Sequence, residues 1–428
     1  MTAKPKITRR GFIKSAAATA AAFSIVPRHV LGGTDFTAPS DVLTKAVIGV
    51  GDMGTGHMFY EGARLVAVCD VDEKHLQNAL NAAASRNIEG VKGYKDFREV
   101  LDRPDIDIVH IPTPPHWHGL IAIAAAEAGK DIWCEKPMTR TIGEGKKVVE
   151  AVQKNGRIFR LNTWFRFTDG FYGMETTVKP IKKLIESGML GWPLKITIGG
   201  PTGFDWKLGI WSGKTNLTPQ QVPDELDYDM WLGPAPYKPY HPHRVHQSFR
   251  GYWDYDGGGL GDMGMHYLDP VQYLLDKDDT SPVEIEAETV QQHPDAAVAW
   301  RRLTMKYADG CEIILDGDNR DENVPYIEGP DGKLFKGFES DIPNLKKKLD
   351  ALPDPEPQVT DFAHAVRTRK KFALNDQNGH RSCTLVNLGV IAVRLGRKLH
   401  FDPVKQLFIG DEQANRLIDQ PMRMPWHI

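Results

Sequence analysis

The sequence predicts an α/β chain: a doubly wound parallel sheet first, then an α+β region on an open, mainly antiparallel sheet. Three observations carry that expectation. From Lys45 to about residue 160, short apolar strands alternate with helical stretches, the pattern of a parallel sheet covered on both faces. The first strand runs straight into Gly49-x-Gly51-x-x-Gly54. Beyond residue 160 the strands follow one another, and Asp309-Gly310 between two of them is a hairpin signal.

In chain order, the apolar runs predict strands at 46–50, 64–70, 106–111 and 130–135, with helices over 73–85, 120–128 and 143–155 between them. A helix over 178–187 stops at Gly188 and leads into a strand at 194–198. An aromatic- and proline-rich segment occupies 201–256. Strands return at 283–290, 300–307 and 312–315, and helices at 359–369 and 382–396. The division expected is a leader at 1–32, an arm at 33–43, a first domain at 44–160, a second at 161–410 and a tail at 411–428.

Composition narrows the functional classes. With 41% hydrophobic and 25% charged residues and a net charge of -3, the chain reads as a soluble globular protein with no nucleic-acid partner. Its four cysteines, Cys69, Cys134, Cys311 and Cys383, form no CxxC or metal spacing and read as small buried hydrophobes. The N-terminus pairs a basic stretch (Lys4 to Lys14) with an alanine-rich apolar run over 15–26, too short to span a membrane. Thr8-Arg9-Arg10-Gly-Phe12 within it resembles a twin-arginine export signal, so a periplasmic or otherwise exported protein is expected.

The glycine loop has the context its chemistry requires. It follows a strand and opens a helix, so backbone N–H groups converge on a pyrophosphate at the helix N-terminus. Gly49, Gly51 and Gly54, with Asp52 and Met53 between them, are the candidate dinucleotide-binding residues. Asp70 lies 21 positions after Gly49 (70 − 49), at the next strand end, where an acid accepts from ribose hydroxyls. Its charge repels a 2′-phosphate, which favours NAD over NADP.

Two constellations carry the candidate chemistry. Glu135-Lys136-Pro137 closes the fourth strand at the sheet edge where ligands bind, and a lysine there holds a substrate hydroxyl and lowers its pKa. Asp262 and His266, after the run Gly257-Gly-Gly-Leu-Gly, stand at i and i+4 and share a helix face. A histidine beside a carboxylate suits acid–base work on an alcohol. Asn162, Arg166, Trp206 and Trp253 are weaker candidates for contacting substrate hydroxyls and ring faces. His241-x-His243-x-x-His246 lacks a completing carboxylate or cysteine at a known spacing, and no metal is assigned.

In this order, with Thr113-Pro-Pro-His-Trp-His118 between the second and fourth strands, these motifs resemble the glucose–fructose oxidoreductase / inositol dehydrogenase / rhizopine-catabolism (Gfo/Idh/MocA) family, from about residue 44 to the end. Glu186-Ser-Gly-Met-Leu-Gly191 is similar to the start of that family's second domain. The resemblance implies a Rossmann domain and an NAD-dependent oxidoreductase acting on a sugar, glycoside or cyclitol. It implies Lys136 and His266 as the proton relay, Asp262 as their partner, and Thr113, Pro114, His118 and Glu135 around the cofactor. It also implies a homo-oligomer, with pairing through the second domain's sheet. With the export signal, it implies a cofactor held tightly and recycled internally. Two alternatives stay open. One is redox-neutral glycoside cleavage by oxidation, elimination and reduction, whose known enzymes in this superfamily lack Glu-Lys-Pro at this strand end. The other is a non-catalytic sugar- or nucleotide-binding protein.

Overall fold

The structure, a computed structural model, describes residues 41–163, 166, 174–205, 211–318 and 321–428. The leader, most of the arm and Trp206 lie outside these residues. The chain divides into two units after Leu43, and the layers and crevice all belong to the second, Thr44–Ile428.

Apolar strands that need cover on both faces make the first sheet. Strands β1 (Thr44–Ile48), β2 (Arg64–Cys69), β3 (Lys92–Tyr94), β4 (Ile108–Ile111), β5 (Asp131–Glu135) and β6 (Phe159–Asn162) pair in parallel in the order β3-β2-β1-β4-β5-β6. Every residue of β1, β4 and β5 is buried. Helices α1 (Asp52–Met58), α2 (Glu73–Ser85), α3 (Phe97–Leu101), α4 (Pro115–Glu127) and α5 (Ile142–Lys154) connect them. Asp72 starts α2 by accepting from the N–H groups of Lys74 and His75, and Thr141 starts α5 through Glu144 N–H. Strand order reverses between β1 and β4, so the loops after β1, β4 and β5 converge on one crevice.

The second layer contains α6 (Val178–Glu186), β7 (Lys195–Ile198), α7 (Tyr228–Leu232) and α8 (Gly258–Leu274), then β8 (Glu284–Thr289), β9 (Trp300–Lys306), β10 (Glu312–Asp316), β11 (Ile327–Glu328) and β12 (Lys333–Leu334). After these come α9 (Leu345–Asp350), α10 (Phe362–Thr368), α11 (Asp376–Leu395), β13 (Leu399–Asp402), β14 (Leu407–Phe408) and α12 (Glu412–Asn415). The eight strands run β12-β11-β7-β10-β9-β8-β13-β14. All pairs are antiparallel except β7 with β10, which is parallel. Parallel partners need a long crossover, and the chain between β7 and β10 supplies one.

The expected boundary at residue 160 falls inside β6. Helix α11 packs against α5 and β6 on one side and against α8 and β8 on the other, which joins the two sheets around the crevice. The segment set apart as a tail folds back onto both layers. Gly143 N–H donates to Ile418 O at 2.8 Å, Arg423 Nη1 to Asp229 Oδ1 at 2.6 Å, and Trp426 meets Trp117 edge-on at 4.9 Å.

Candidate active site

The crevice holds a cleft lined by residues of both layers. One end is built by the glycine loop. Gly49 has φ +92°, and a Cβ there would lie 3.0–3.1 Å from Thr113. A Cβ on Gly54 would meet Gly49 O at 1.9 Å, so the loop closes only with glycine. Gly51 caps α1, and Asp52 and Met53 begin it; all three line the cleft. Asp70 sits at the end of β2 with both oxygens engaged, accepting from Val50 N–H at 2.7 Å and Asp72 N–H at 2.9 Å. Thr113 Oγ1 is buried in the wall and finds no hydrogen-bond partner among the described residues. A glycine cradle, an acid at ribose distance along the next strand and an orphaned hydroxyl fit a dinucleotide.

The other end is built by β5 and α8. Lys136 leaves β5 directly into the cleft, and its Nζ donates to Asp262 Oδ1 at 2.7 Å. Asp262 also receives Arg250 Nε at 3.0 Å and Trp211 Nε1 at 2.9 Å. Burial alone would raise its pKa, but the Lys136 and Arg250 charges hold it well below the usual carboxylate range. Glu135 is fixed behind the lysine by His57 Nε2 at 2.8 Å and Asn162 Nδ2 at 2.6 Å. Burial opposes ionisation there too, yet the His57 hydrogen bond and neighbouring cations bring its pKa down to about 2.

The spacing of Asp262 and His266 is realised on α8, but the two residues meet different surroundings. Asp262 lines the cleft; His266 is fully buried and is not among the described lining residues. Burial, with the Lys136 charge second, lowers its pKa to about 3, so the ring is neutral at physiological pH. His118 clamps two loops, its ring nitrogens 2.7 Å from the carbonyls of Thr113 and Pro137, while Thr113 and Pro114 face the cleft themselves. The weaker candidates have their polar atoms occupied elsewhere. Asn162 serves Glu135, Trp253 Nε1 donates to His293 O at 2.9 Å, and Arg166 is held by Asp269 and Asp278. None of the three is among the described residues lining the cleft.

Sequence reasoning missed Gln247, Arg250 and Asp256. All three line the cleft, and Gln247 Nε2 donates to Asp52 Oδ2 at 2.6 Å. The signal available was weak: polar residues inside an aperiodic aromatic segment. The histidine trio is split as well. His243 bonds Tyr252, whereas His246 joins Asp72 and His75, their ligand atoms within 4.8 Å of one another. Asp72 already caps α2, and His75 leans toward Asp70 at 3.7 Å.

Comparison with known proteins gives the site its relatives. Residues 43–163 match the Gfo/Idh/MocA oxidoreductase family's NAD-binding Rossmann fold, and residues 174–428 match its C-terminal alpha/beta domain. The inositol 2-dehydrogenase of Salmonella paratyphi B is 32% identical over 160 residues, 36% of this chain and 44% of that protein. The levoglucosan dehydrogenase of Pseudarthrobacter phenanthrenivorans is 31% identical over 241 residues, 54% and 51% of the two chains. A glycosyl hydrolase family 109 protein of Shewanella baltica is 33% identical over 171 residues, 35% and 37% of the two chains. The chain thus matches about half or less of these relatives' lengths. Among solved structures, the WlbA dehydrogenase of Bordetella pertussis, in complex with NADH and UDP-GlcNAcA, shares the fold. Its TM-score is 0.58 at 17% identity, covering 84% of this chain and 99% of that one. With both of its domains matched, the chain belongs to the Gfo/Idh/MocA oxidoreductase family.

Proposed function

We propose that the protein is an NAD-dependent oxidoreductase acting on a CH–OH group of a sugar, glycoside or cyclitol. One observation carries the reading: Lys136, held by Asp262 at 2.7 Å, shares a cleft with the glycine cradle and Asp70. The bound nicotinamide supplies hydride transfer. The chain's own residues supply the rest. Lys136 donates a hydrogen bond to the reacting oxygen and favours its ionised form. Asp262 orients the ammonium, and Arg250 and Trp211 orient Asp262. His266, one turn along α8 from Asp262 and neutral by burial, is the second member of the proposed Lys/His pair. NAD is favoured because Asp70 and Asp72 both line the cofactor end, and Lys95 there is paired with Glu73 at 2.6 Å.

From the twin-arginine resemblance of Arg9-Arg10 we infer export from the cytoplasm with the cofactor already bound. Gln247, reaching from the second layer to Asp52 over the cradle, supports slow cofactor release. A homo-oligomer belongs to the same reading. The second reading, redox-neutral glycoside cleavage, is favoured by the family 109 relative.

The experiment denatures the purified protein and assays released nucleotide, then incubates intact protein with myo-inositol, levoglucosan and p-nitrophenyl glycosides. Near-stoichiometric NAD and a keto product support the reading. Released p-nitrophenol without net redox change moves the assignment to glycoside cleavage. An empty protein with no product in any assay rejects both.

A further inference from the structure

The cofactor end of the cleft brings together three metal-ligating side chains from two layers. They are Asp72, His75 and His246, and all three line the cleft. One ligand atom from each lies within 4.8 Å of the other two. Local sequence places the first pair: Asp72 caps α2, and His75 stands in its first turn. The cap occupies Asp72 Oδ1, which accepts from Lys74 N–H at 2.8 Å and His75 N–H at 3.3 Å. The other oxygen, Oδ2, lies 3.6 Å from His246 Nε2. The His75 and His246 rings meet edge to face, their centroids 4.9 Å apart.

The second layer holds this arrangement from both sides. Asp227 N–H donates to Val71 O at 3.0 Å and Glu73 N–H to Glu225 O at 2.9 Å, so the backbone on either side of Asp72 is tied across the crevice. His246 has φ +54°, a left-handed conformation that a non-glycine residue holds at some cost. Its neighbour Gln247 is the residue that reaches Asp52 over the cradle. Distances argue against a plain hydrogen-bonded cluster. Asp72 and His246 stop short of a hydrogen bond at 3.6 Å, and His75 Nδ1 stands 3.7 Å from Asp70 Oδ2, also too far. A carboxylate and an imidazole brought this close without bonding leave room for a small cation. Ligand atoms around a tetrahedral zinc stand about 3.3 Å apart, so side-chain shifts of up to roughly 1.5 Å close the trio on an ion.

We propose that Asp72, His75 and His246 bind one divalent transition metal of the zinc class at the cofactor end of the cleft. Two imidazoles and one carboxylate suit zinc and its neighbours rather than magnesium or calcium, which take oxygen donors. Three protein ligands leave a fourth position, and it opens to the cleft for water. Asp70 is not a ligand; its oxygens accept from Val50 and Asp72 N–H groups. Sequence spacing hid the site because His246 comes 171 positions after His75 (246 − 75) and from the other layer. With a nucleotide in the cradle, the metal clasps the two layers across the cofactor end and slows release. That consequence, and not the site, rests on the dinucleotide reading.

The test strips the full-length protein with a chelating resin and dialyses it against micromolar Zn2+, with Co2+ as a spectroscopic probe. One equivalent of zinc per chain is expected, and visible Co2+ bands of four- or five-coordinate geometry. His246→Ala and Asp72→Asn should each weaken zinc binding on the order of 100-fold. His243→Ala should keep full binding, because that ring bonds Tyr252 instead. Should Asp72→Asn not fold, His246→Ala decides alone, since His246 is exposed. Less than one equivalent of zinc, or binding that survives His246→Ala and is lost in His243→Ala, overturns the site. Zinc should also slow nucleotide dissociation in the wild type and not in His246→Ala. Unchanged release, or zinc displaced by added NAD, keeps the site and rejects the clasp. A chain that binds zinc but no nucleotide rejects the dinucleotide reading and leaves the site standing.

Discussion

Helix α8 carries two buried aspartates seven residues apart on one face, and their surroundings differ in a way that separates scaffold from chemistry. Asp269 is saturated. Arg166 binds it through Nε at 3.0 Å and Nη2 at 2.7 Å, Ser382 Oγ donates at 2.8 Å, and the remaining Arg166 donors go to Asp278. None of these residues is among the described lining of the cleft. Asp262 also faces cations, Lys136 and Arg250, but they come from two different segments, and Asp256 competes for them. A closed buried ion pair resists change. An open one, with a second carboxylate driven toward neutrality beside it, is sensitive to the charge around it.

The largest effect should follow from breaking the closed pair. Arg166→Met strands Asp269 without its cation, and a buried uncompensated charge costs about 3–5 kcal/mol. Urea denaturation should show that loss, and Arg166→Met/Asp269→Leu should recover much of it. Equal stability of the single variant and the wild type would show that the pair is not a strut.

Lys136→Met should give the opposite profile. Asp262 keeps Arg250 and Trp211, so the stability loss should stay below about 2 kcal/mol. Turnover should fall on the order of 100-fold or more, with the nucleotide still bound. A variant that unfolds as readily as Arg166→Met while turning over normally would reverse the comparison.

How much of this was legible depends on whether a residue's role is written in local spacing. The glycine cradle was, because only glycine fits at Gly54 against Gly49 O. So was the shared face of Asp262 and His266, since i, i+4 spacing fixes it once the helix forms. The burial that separates those two residues was not, because it comes from packing around α8. Arg250 and Asp256 were hidden for a related reason. They lie in or next to a segment without hydrophobic period, and tertiary contacts alone bring them to Lys136. The start of α4 was missed because its apolar residues run all round, leaving no stripe to read. The start of α11 was missed although Asn375 and Asn378 form a capping box there. Strands β3, β11, β12 and β14 are two or three residues long, below what alternation can reveal.

The smallest effect sharpens the comparison most. Asp256 has a folded-state pKa raised to about 7, above the ~3.9 of an unfolded aspartate. A raised pKa means the folded state binds the proton more tightly. The stability this contributes is fully present below about pH 4 and is lost as pH rises through about 7. Above that, the wild type carries a buried carboxylate that Asn does not. The melting temperature of Asp256→Asn relative to wild type should therefore increase from pH 4 to pH 8, by roughly 1–3 °C. Asp269→Asn should lower stability at pH 8, because Arg166 loses a charged partner. A gain in stability at Asp256, set against a loss at the saturated pair, separates a carboxylate that its surroundings drive toward neutrality from one held by a closed ion pair. An Asp256→Asn variant destabilised at pH 8 would instead make Asp256, like Asp269, part of the scaffold around α8.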